Sequence, residues 1–321
     1  MVKMIAPELT PFDKYASYGN HFVLIDEVRH TGIAEHLKPD FVRRVADARA
    51  GVGADSVIFL QRRREQEGIY VARFFEPNGD EFLNCGNGLA CLALHLRMRY
   101  GLERAKILVE MPARWPSLTT ISCTKGISTV SIRPDFSRIR EFIRVPPGAP
   151  EQVGGHFPVL QLDCGEGRKR TAIAVYTGEP HLVLFGDGDD TQKRTFFARL
   201  PGIGSHINRQ LRHIFPQGIN VNLARIGPQR NSFEYCCFER GLMRGTLACG
   251  TGAIAVGLAA YQSGLCSLEQ LYLLPYLARC ESGLQEAEIR VTIGEEKGCT
   301  LSTRAEYVFQ GTFYCQWESP E

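Results

Sequence analysis

Two copies of one short pattern, Cys-Gly-x-Gly, stand in Asn84-Cys85-Gly86-Asn87-Gly88 and Ala248-Cys249-Gly250-Thr251-Gly252, and each opens an apolar helical stretch. Residues Leu89 to Tyr100 are mostly Leu, Ala, Met and Cys before Gly101, and Ala253 to Ser263 run Ala-Ile-Ala-Val-Gly-Leu-Ala-Ala before Gly264. A glycine just past the last helical residue suits a C-cap. A helix that is apolar almost all round has to be buried, and these two are too short to span a membrane. Finding one in each half predicts an internal duplication: two similar domains, each a sheet wrapped round one buried helix.

The rest of the chain supplies material for such sheets. Phe22–Ile25, Ser56–Leu60, Ile107–Val109, Thr171–Tyr176, His181–Phe185, Ile219–Leu223 and Phe233–Phe238 read as strands, and Pro77-Asn78-Gly79-Asp80 and Thr177-Gly178-Glu179-Pro180 as turns. Pro146-Pro147-Gly148-Ala149-Pro150 reads as a linker between the halves. Strands far outnumber helices, so the expected class is α+β.

With 321 residues, 44% of them apolar and 22% charged, the chain can build two real cores. A net charge of +2 gives no sign of a nucleic-acid partner. The basic run Arg62-Arg63-Arg64 is followed by Glu65 and Glu67 and reads as solvated surface. No apolar segment suits a leader peptide or a membrane, so a cytoplasmic location is expected. Eleven cysteines without a framework spacing fit a reducing compartment. All but Cys85 and Cys249 lack the glycine-rich helix opening and read as small buried hydrophobes, including the adjacent Cys236 and Cys237, which would point to opposite faces of a strand. No spacing matches a zinc pattern, so no metal is expected.

The two repeated cysteines carry the chemistry. In each copy glycines let backbone N–H groups approach a ligand closely, and the helix N-terminus behind them favours an anion and an ionised thiol. A carboxylate-bearing substrate between two activated thiols is the implied arrangement.

These residues resemble the diaminopimelate epimerase family, cofactor-independent enzymes that invert an amino-acid α-carbon with two cysteines. The likeness covers most of the chain, in the family's order. Tyr18-Gly19-Asn20-His21-Phe22 resembles the Gly-Asn-x-Phe strand, and Gly51-Val52-Gly53-Ala54-Asp55 the Gly-Val-Gly-x-Asp turn. Both Cys-Gly segments match. Gly178-Glu179-Pro180-His181 resembles Gly-Asn-Pro-His, Gly218-Ile219-Asn220-Val221 an Asn-bearing strand, and Phe238-Glu239-Arg240-Gly241 the Glu-Arg-Gly before the second cysteine. The resemblance implies two pseudosymmetric domains, each a barrel-like β-sheet around a central buried helix. Their expected bounds are 1–145, with a last strand from 305–321 returning to it, and 146–304. It also implies a homodimer.

Removing an α-proton needs a base in contact and a place for charge to collect on the carboxylate. By the resemblance Cys85 and Cys249 act as thiolate and thiol on opposite faces, so that inversion follows without pyridoxal phosphate, metal or any other cofactor. His181 and Glu239 set their protonation. Backbone groups of Gly86, Asn87, Gly250 and Thr251 hold the carboxylate, and Asn20, Asn87, Asn220 and Arg240 bind substrate.

The chain departs from the family where the far end of diaminopimelate is recognised. Glu76 and Glu179 stand where the family has Asn, and Ser56 where it has Gln. The stretch from Glu239 to Cys249 is one residue longer, and the downstream Pro-Gly-Gly is absent. Two carboxylates in place of two amides would repel a distal carboxylate unless a cation pairs with them. The expected substrate is therefore an amino acid with a cationic or imidazole side chain, such as histidine, arginine or lysine, with diaminopimelate second. Readings from other classes are a redox-sensing dithiol protein and a non-catalytic amino-acid-binding module.

Overall fold

A computed structural model describes residues 8–62, 68–111, 114–135, 138–144, 157–165, 167, 169–186, 192–267, 270–294 and 298–315. The Pro146–Pro150 stretch, the 145/146 boundary and Arg63 to Glu67 of the basic run lie outside these residues. The chain forms two compact units: residues 1–84, 88–128 and 304–321 in the first, and 85–87 and 129–303 in the second.

The first unit begins with β1 (Glu8–Ser17), β2 (Asn20–Asp26), α1 (Lys38–Val45), β3 (Ser56–Arg62), β4 (Ile69–Phe75) and the short β5 (Glu81–Phe82). After α2 (Gly86–Tyr100) come β6 (Arg104–Met111), β7 (Arg114–Thr124) and β8 (Ile127–Ile132). Residue 128, the last of the first unit before the chain returns, falls inside β8. The second unit holds β9 (Val159–Asp163), β10 (Lys169–Tyr176), β11 (Pro180–Phe185), α3 (Lys193–Ala198), α4 (Leu200–Gln210), β12 (Asn220–Ile226), β13 (Ser232–Glu239) and β14 (Arg244–Thr246). It continues through α5 (Gly250–Gln262), β15 (Gln270–Pro275), α6 (Tyr276–Glu281), β16 (Ile289–Ile293) and β17 (Cys299–Arg304), and β18 (Glu306–Cys315) returns to the first unit.

The duplication shows in the ladders. In the first unit β18, β1 and β2 pair antiparallel in that order, β2–β3 is parallel, β3–β4 antiparallel, β4–β6 parallel and β6–β7 antiparallel. In the second, β9, β10 and β11 pair antiparallel, β11–β12 is parallel, β12–β13 antiparallel, β13–β15 parallel and β15–β16 antiparallel. A short hairpin strand precedes each central helix, β5 on β4 and β14 on β13. β17 then joins β16 and β8, with Thr129 and Ser302 hydroxyls 3.0 Å apart.

The second sheet packs round α5 because that helix has no polar side to present. Every residue of α5 from Gly250 to Ala260 is buried, and β10, β11, β12, β13, β15 and β16 all pack on it. In α2, Leu89 to Ala93 and Leu96 are buried. Deep in the same helix, His95 is satisfied by the Tyr15 hydroxyl and the Asp26 carboxylate, each at 3.0 Å. Both helices start three residues before the apolar run suggests. Cys249 is the N-cap of α5 and its sulfur accepts from Gly252 N–H, so the glycines lie inside the first turn. Gly101 (φ +69°) and Gly264 (φ +70°) follow the helix ends in the left-handed region that only glycine adopts without strain. On the outer face of the first sheet, Phe41, Val42 and Val45 of α1 pack over Val23, Ile25, Val57 and Phe59.

Candidate active site

The strand ends and the first turns of the two central helices carry the candidate residues. Cys85, Gly86, Asn87, Glu179, His181, Asn220, Glu239, Arg240, Cys249, Gly250 and Thr251 all belong to the second unit. The two Cys-Gly turns abut there. A Cβ on Gly86 would lie 3.2 Å from Gly250 Cα, and one on Gly250 would lie 3.2 Å from the Asn87 backbone nitrogen. Only glycine at both positions lets the turns come this close. Asn87 Nδ2 donates to the Ala248 carbonyl at 3.0 Å, while its buried Oδ1 accepts no hydrogen bond from the described residues. By helix geometry the N–H groups opening each helix have no carbonyl partner in it, so two sets of amide donors converge on one locus.

A buried chain of hydrogen bonds leads to Cys249. Asn222 Nδ2 lies 3.1 Å from His181 Nδ1 and 3.2 Å from the Leu182 carbonyl. A carbonyl only accepts, so it is the amide nitrogen that points this way, and His181 Nδ1 must accept from it. The proton then sits on Nε2, which donates to Thr251 Oγ1 at 3.0 Å. With that lone pair engaged, the Thr251 hydroxyl can donate to Cys249 Sγ, 3.5 Å away. Gly252 N–H adds a second donor to the sulfur at 3.4 Å. Full burial, reinforced by the charge of Arg240, holds the His181 imidazole down at about 3, so the ring is neutral at physiological pH.

Arg240 and Glu179 form a pair. The guanidinium Nη2 meets Glu179 Oε2 at 2.7 Å, Nη1 donates to the Gln217 carbonyl at 3.2 Å, and the Arg240 backbone N–H donates to Asn220 Oδ1 at 2.9 Å. Glu179 is 5% exposed. Of the two possibilities for Glu179, a carboxylate open to a cationic side chain or one paired with a cation, the structure shows the second: Arg240 matches its charge.

Asn20, Ser56 and Glu76 lie in the first unit. Asn20 opens β2, Ser56 opens β3 and Glu76 follows β4, the places that Pro180, Asn220 and Arg240 take in the second sheet. The Ser56 hydroxyl is buried and has no hydrogen-bond partner among the described residues, and Glu76 is half-buried, its backbone N–H bonded to the Asp80 carbonyl.

The pattern of the sequence did not single out Asn222, Thr246 or Cys237, yet they form a row. Asn222 faces Cys237 across β12–β13, and Cys237 faces Thr246 across β13–β14. Cys237 is buried, as a core thiol is expected to be, and its sulfur also lies within 4.8 Å of the Cys249 sulfur. Glu239, two residues on and so on the same face, accepts from the Thr246 hydroxyl at 2.6 Å. Strand period, counted back from Glu239, was the available signal.

The family model for diaminopimelate epimerase matches residues 12–116. Diaminopimelate epimerase of Archaeoglobus fulgidus is 31% identical over 261 residues, 79% of this chain and 82% of its own. That of Methanothrix thermoacetophila is 33% identical over 264 residues, again 79% and 82%. O-ureido-serine racemase of Streptomyces lavendulae is 27% identical over 320 residues, 98% of each chain. Among solved structures, a probable proline racemase from Agrobacterium radiobacter K84 superposes with a TM-score of 0.62 at 13% identity, covering 94% of this chain and 92% of its own. A hydroxyproline epimerase from Agrobacterium vitis gives 0.61 at 12%, covering 97% and 94%. At such identities these structures establish the fold. With relatives above 30% identical across most of both sequences, the chain belongs to the diaminopimelate epimerase family, isomerases that act on amino acids.

Proposed function

We propose that this protein inverts the α-carbon of a free amino acid, with Cys85 and Cys249 as the two bases and no cofactor. The abutting Cys-Gly turns carry the reading, because they bring the first turns of both helices, each following a cysteine, against one another. The amides of the two first turns take the substrate carboxylate and the charge it gains as the α-proton leaves. Asn87 Oδ1, buried without a donor, suits the α-ammonium. When Cys249 is the thiolate, Thr251 and Gly252 hold the charge on its sulfur, and Cys85 protonates the opposite face.

The side-chain end of the substrate is read from Arg240 and Glu179. A second carboxylate would meet Glu179, and a cation would meet Arg240, whereas a neutral group with both donors and acceptors can bond to each. This favours an uncharged amide- or urea-like side chain over the cationic one expected from sequence. The relative aligned over 98% of both chains is named for a ureido amino acid, which fits. Diaminopimelate stays as the second reading, because the relatives named for it reach 33% identity. A homodimer belongs to the same reading, and sedimentation equilibrium tests it.

The decisive experiment follows α-proton exchange in deuterium oxide for O-ureido-L-serine, L-citrulline, L-glutamine, L-histidine, L-lysine and LL-diaminopimelate. Fast exchange on diaminopimelate alone would overturn the side-chain reading and leave the two-base scheme intact. Exchange that survives both Cys85→Ala and Cys249→Ala would overturn the scheme itself and favour a redox or binding role.

A further inference from the structure

We propose that Cys237, Glu239 and Cys249 form a chelating site for a thiophilic divalent cation, zinc being the type, and that the ion silences the enzyme by engaging Cys249. One ligand atom from each residue lies within 4.8 Å of the others. Three independent features of the fold bring them together. Strand period puts Cys237 and Glu239 on the same face of β13. The N-cap position of α5 hangs the Cys249 sulfur over that face, within 4.8 Å of the Cys237 sulfur. The β13–β14 hairpin sets Thr246 opposite Cys237, and its hydroxyl bonds one Glu239 oxygen.

The donor set is one that zinc prefers. Two thiolates and a carboxylate are three of the four ligands of a tetrahedral ion, and the fourth position stays open to water. Donor atoms on such an ion stand roughly 3.5 Å apart, so the side chains here would close by up to about 1.3 Å. As thiolates and carboxylate the three carry three negative charges against two on the ion, and each thiol that binds gives up its proton to solvent. Hard cations such as magnesium want oxygen ligands and are not expected to bind. The spacing, a strand dipeptide step followed by a helix cap, is not that of a zinc finger, which is why it escapes a pattern search.

The proposal rests on the proposed reaction only for its effect on turnover, so binding is measured separately. Cobalt(II) added to the full-length protein should give a thiolate charge-transfer band that saturates at one equivalent and is displaced by zinc. Zinc should also slow alkylation of Cys249, mapped by mass spectrometry, and stop α-proton exchange until a chelator is added. In Cys237→Val, close in shape and without a donor, the zinc concentration that protects Cys249 from alkylation should rise by at least the ~10–100-fold that removing even an outer partner of a metal site costs. Cys237→Ser is the second variant if Val fails to fold. Cys85→Ala should keep the cobalt band. The proposal is overturned if wild-type protein gives no band, if Cys237→Val and Cys237→Ser stay as zinc-sensitive as wild type, or if Cys85→Ala abolishes the band, which would put the ion on Cys85 instead.

Discussion

At the scale of single residues, the site depends on where one proton sits. Asn222 holds His181 in the tautomer that donates to Thr251, and Thr251 passes a donor on to Cys249. Thr251→Val keeps the side-chain shape and the backbone amide but removes the hydroxyl. A hydrogen bond to a charged sulfur is worth ~1.5–3 kcal/mol, so kcat should fall about 10- to 100-fold with KM little changed. Thr251→Ser should restore most of it; steady-state racemisation kinetics on the three proteins decide. His181 also carries a pH signature. Its folded value, about 3, lies below the ordinary 6.5, so on acidification the unfolded chain takes a proton that the folded one refuses. This residue's penalty is absent above about 6.5 and grows as pH falls towards about 3, so stability is lost across that window. The gap in unfolding free energy between wild type and His181→Gln, from denaturant melts, should move in favour of the variant between pH 7 and pH ~4.5. A constant gap would show that the ring is not the buried neutral group described.

At the scale of elements, glycine has two opposite uses. At Gly86 and Gly250 a methyl would press on the facing turn, so Gly86→Ala and Gly250→Ala should each lower kcat/KM by at least about tenfold, roughly 1.4 kcal/mol, as the amide sets separate. In α4, Gly202 has no atom within 4 Å of a built Cβ, and Gly202→Ala should stabilise the helix by ~0.5–1 kcal/mol. Gly204, two residues on, would drive a Cβ to 2.3 Å from the Phe238 ring, so Gly204→Ala should destabilise. Thermal melts of the pair test the packing of α4. Elements were also what the sequence told best. The all-apolar helices and their glycine stops were legible because burial on every side leaves no polar stripe, and most expected strands differ from those observed by a residue or two at the ends. The helix starts were misjudged because Gly86 and Gly250 have poor helix propensity yet lie in the first turn, on the far side of a cysteine cap. The motifs picked out Cys85, Cys249, His181 and Glu239, and the fold gathers all four in the second unit. Asn222 and Cys237 were not picked out, because their roles arise from register between strands distant in sequence. Nor was the partner of Glu179, since a charge on a turn says nothing of the guanidinium 61 residues later that meets it.

At the scale of the whole molecule, the first sheet is completed from the far end of the chain. β18 pairs with β1 from Glu8↔Cys315 to Ala16↔Glu306, and Phe309 and Phe313 pack edge-on against Phe12 and Phe41 at ring distances of 5.8 Å. A chain ending at Arg304 should therefore lose the first unit while the second, 85–87 and 129–303, keeps its own ladders. Limited proteolysis with mass mapping would show cuts confined to residues before 84 and from 88 to 128; uniform resistance would mean β18 is dispensable. The same ladder sets an order of events during synthesis. Joining strands some 300 residues apart in a free chain costs ~5 kcal/mol in loop closure, far more than a hairpin such as β1–β2. A compact second unit between them shortens the loop that has to close. The half encoded first is thus the half finished last, and β1 waits as an open edge until the ribosome has released β18. In that interval the nascent protein has its greatest need of a chaperone.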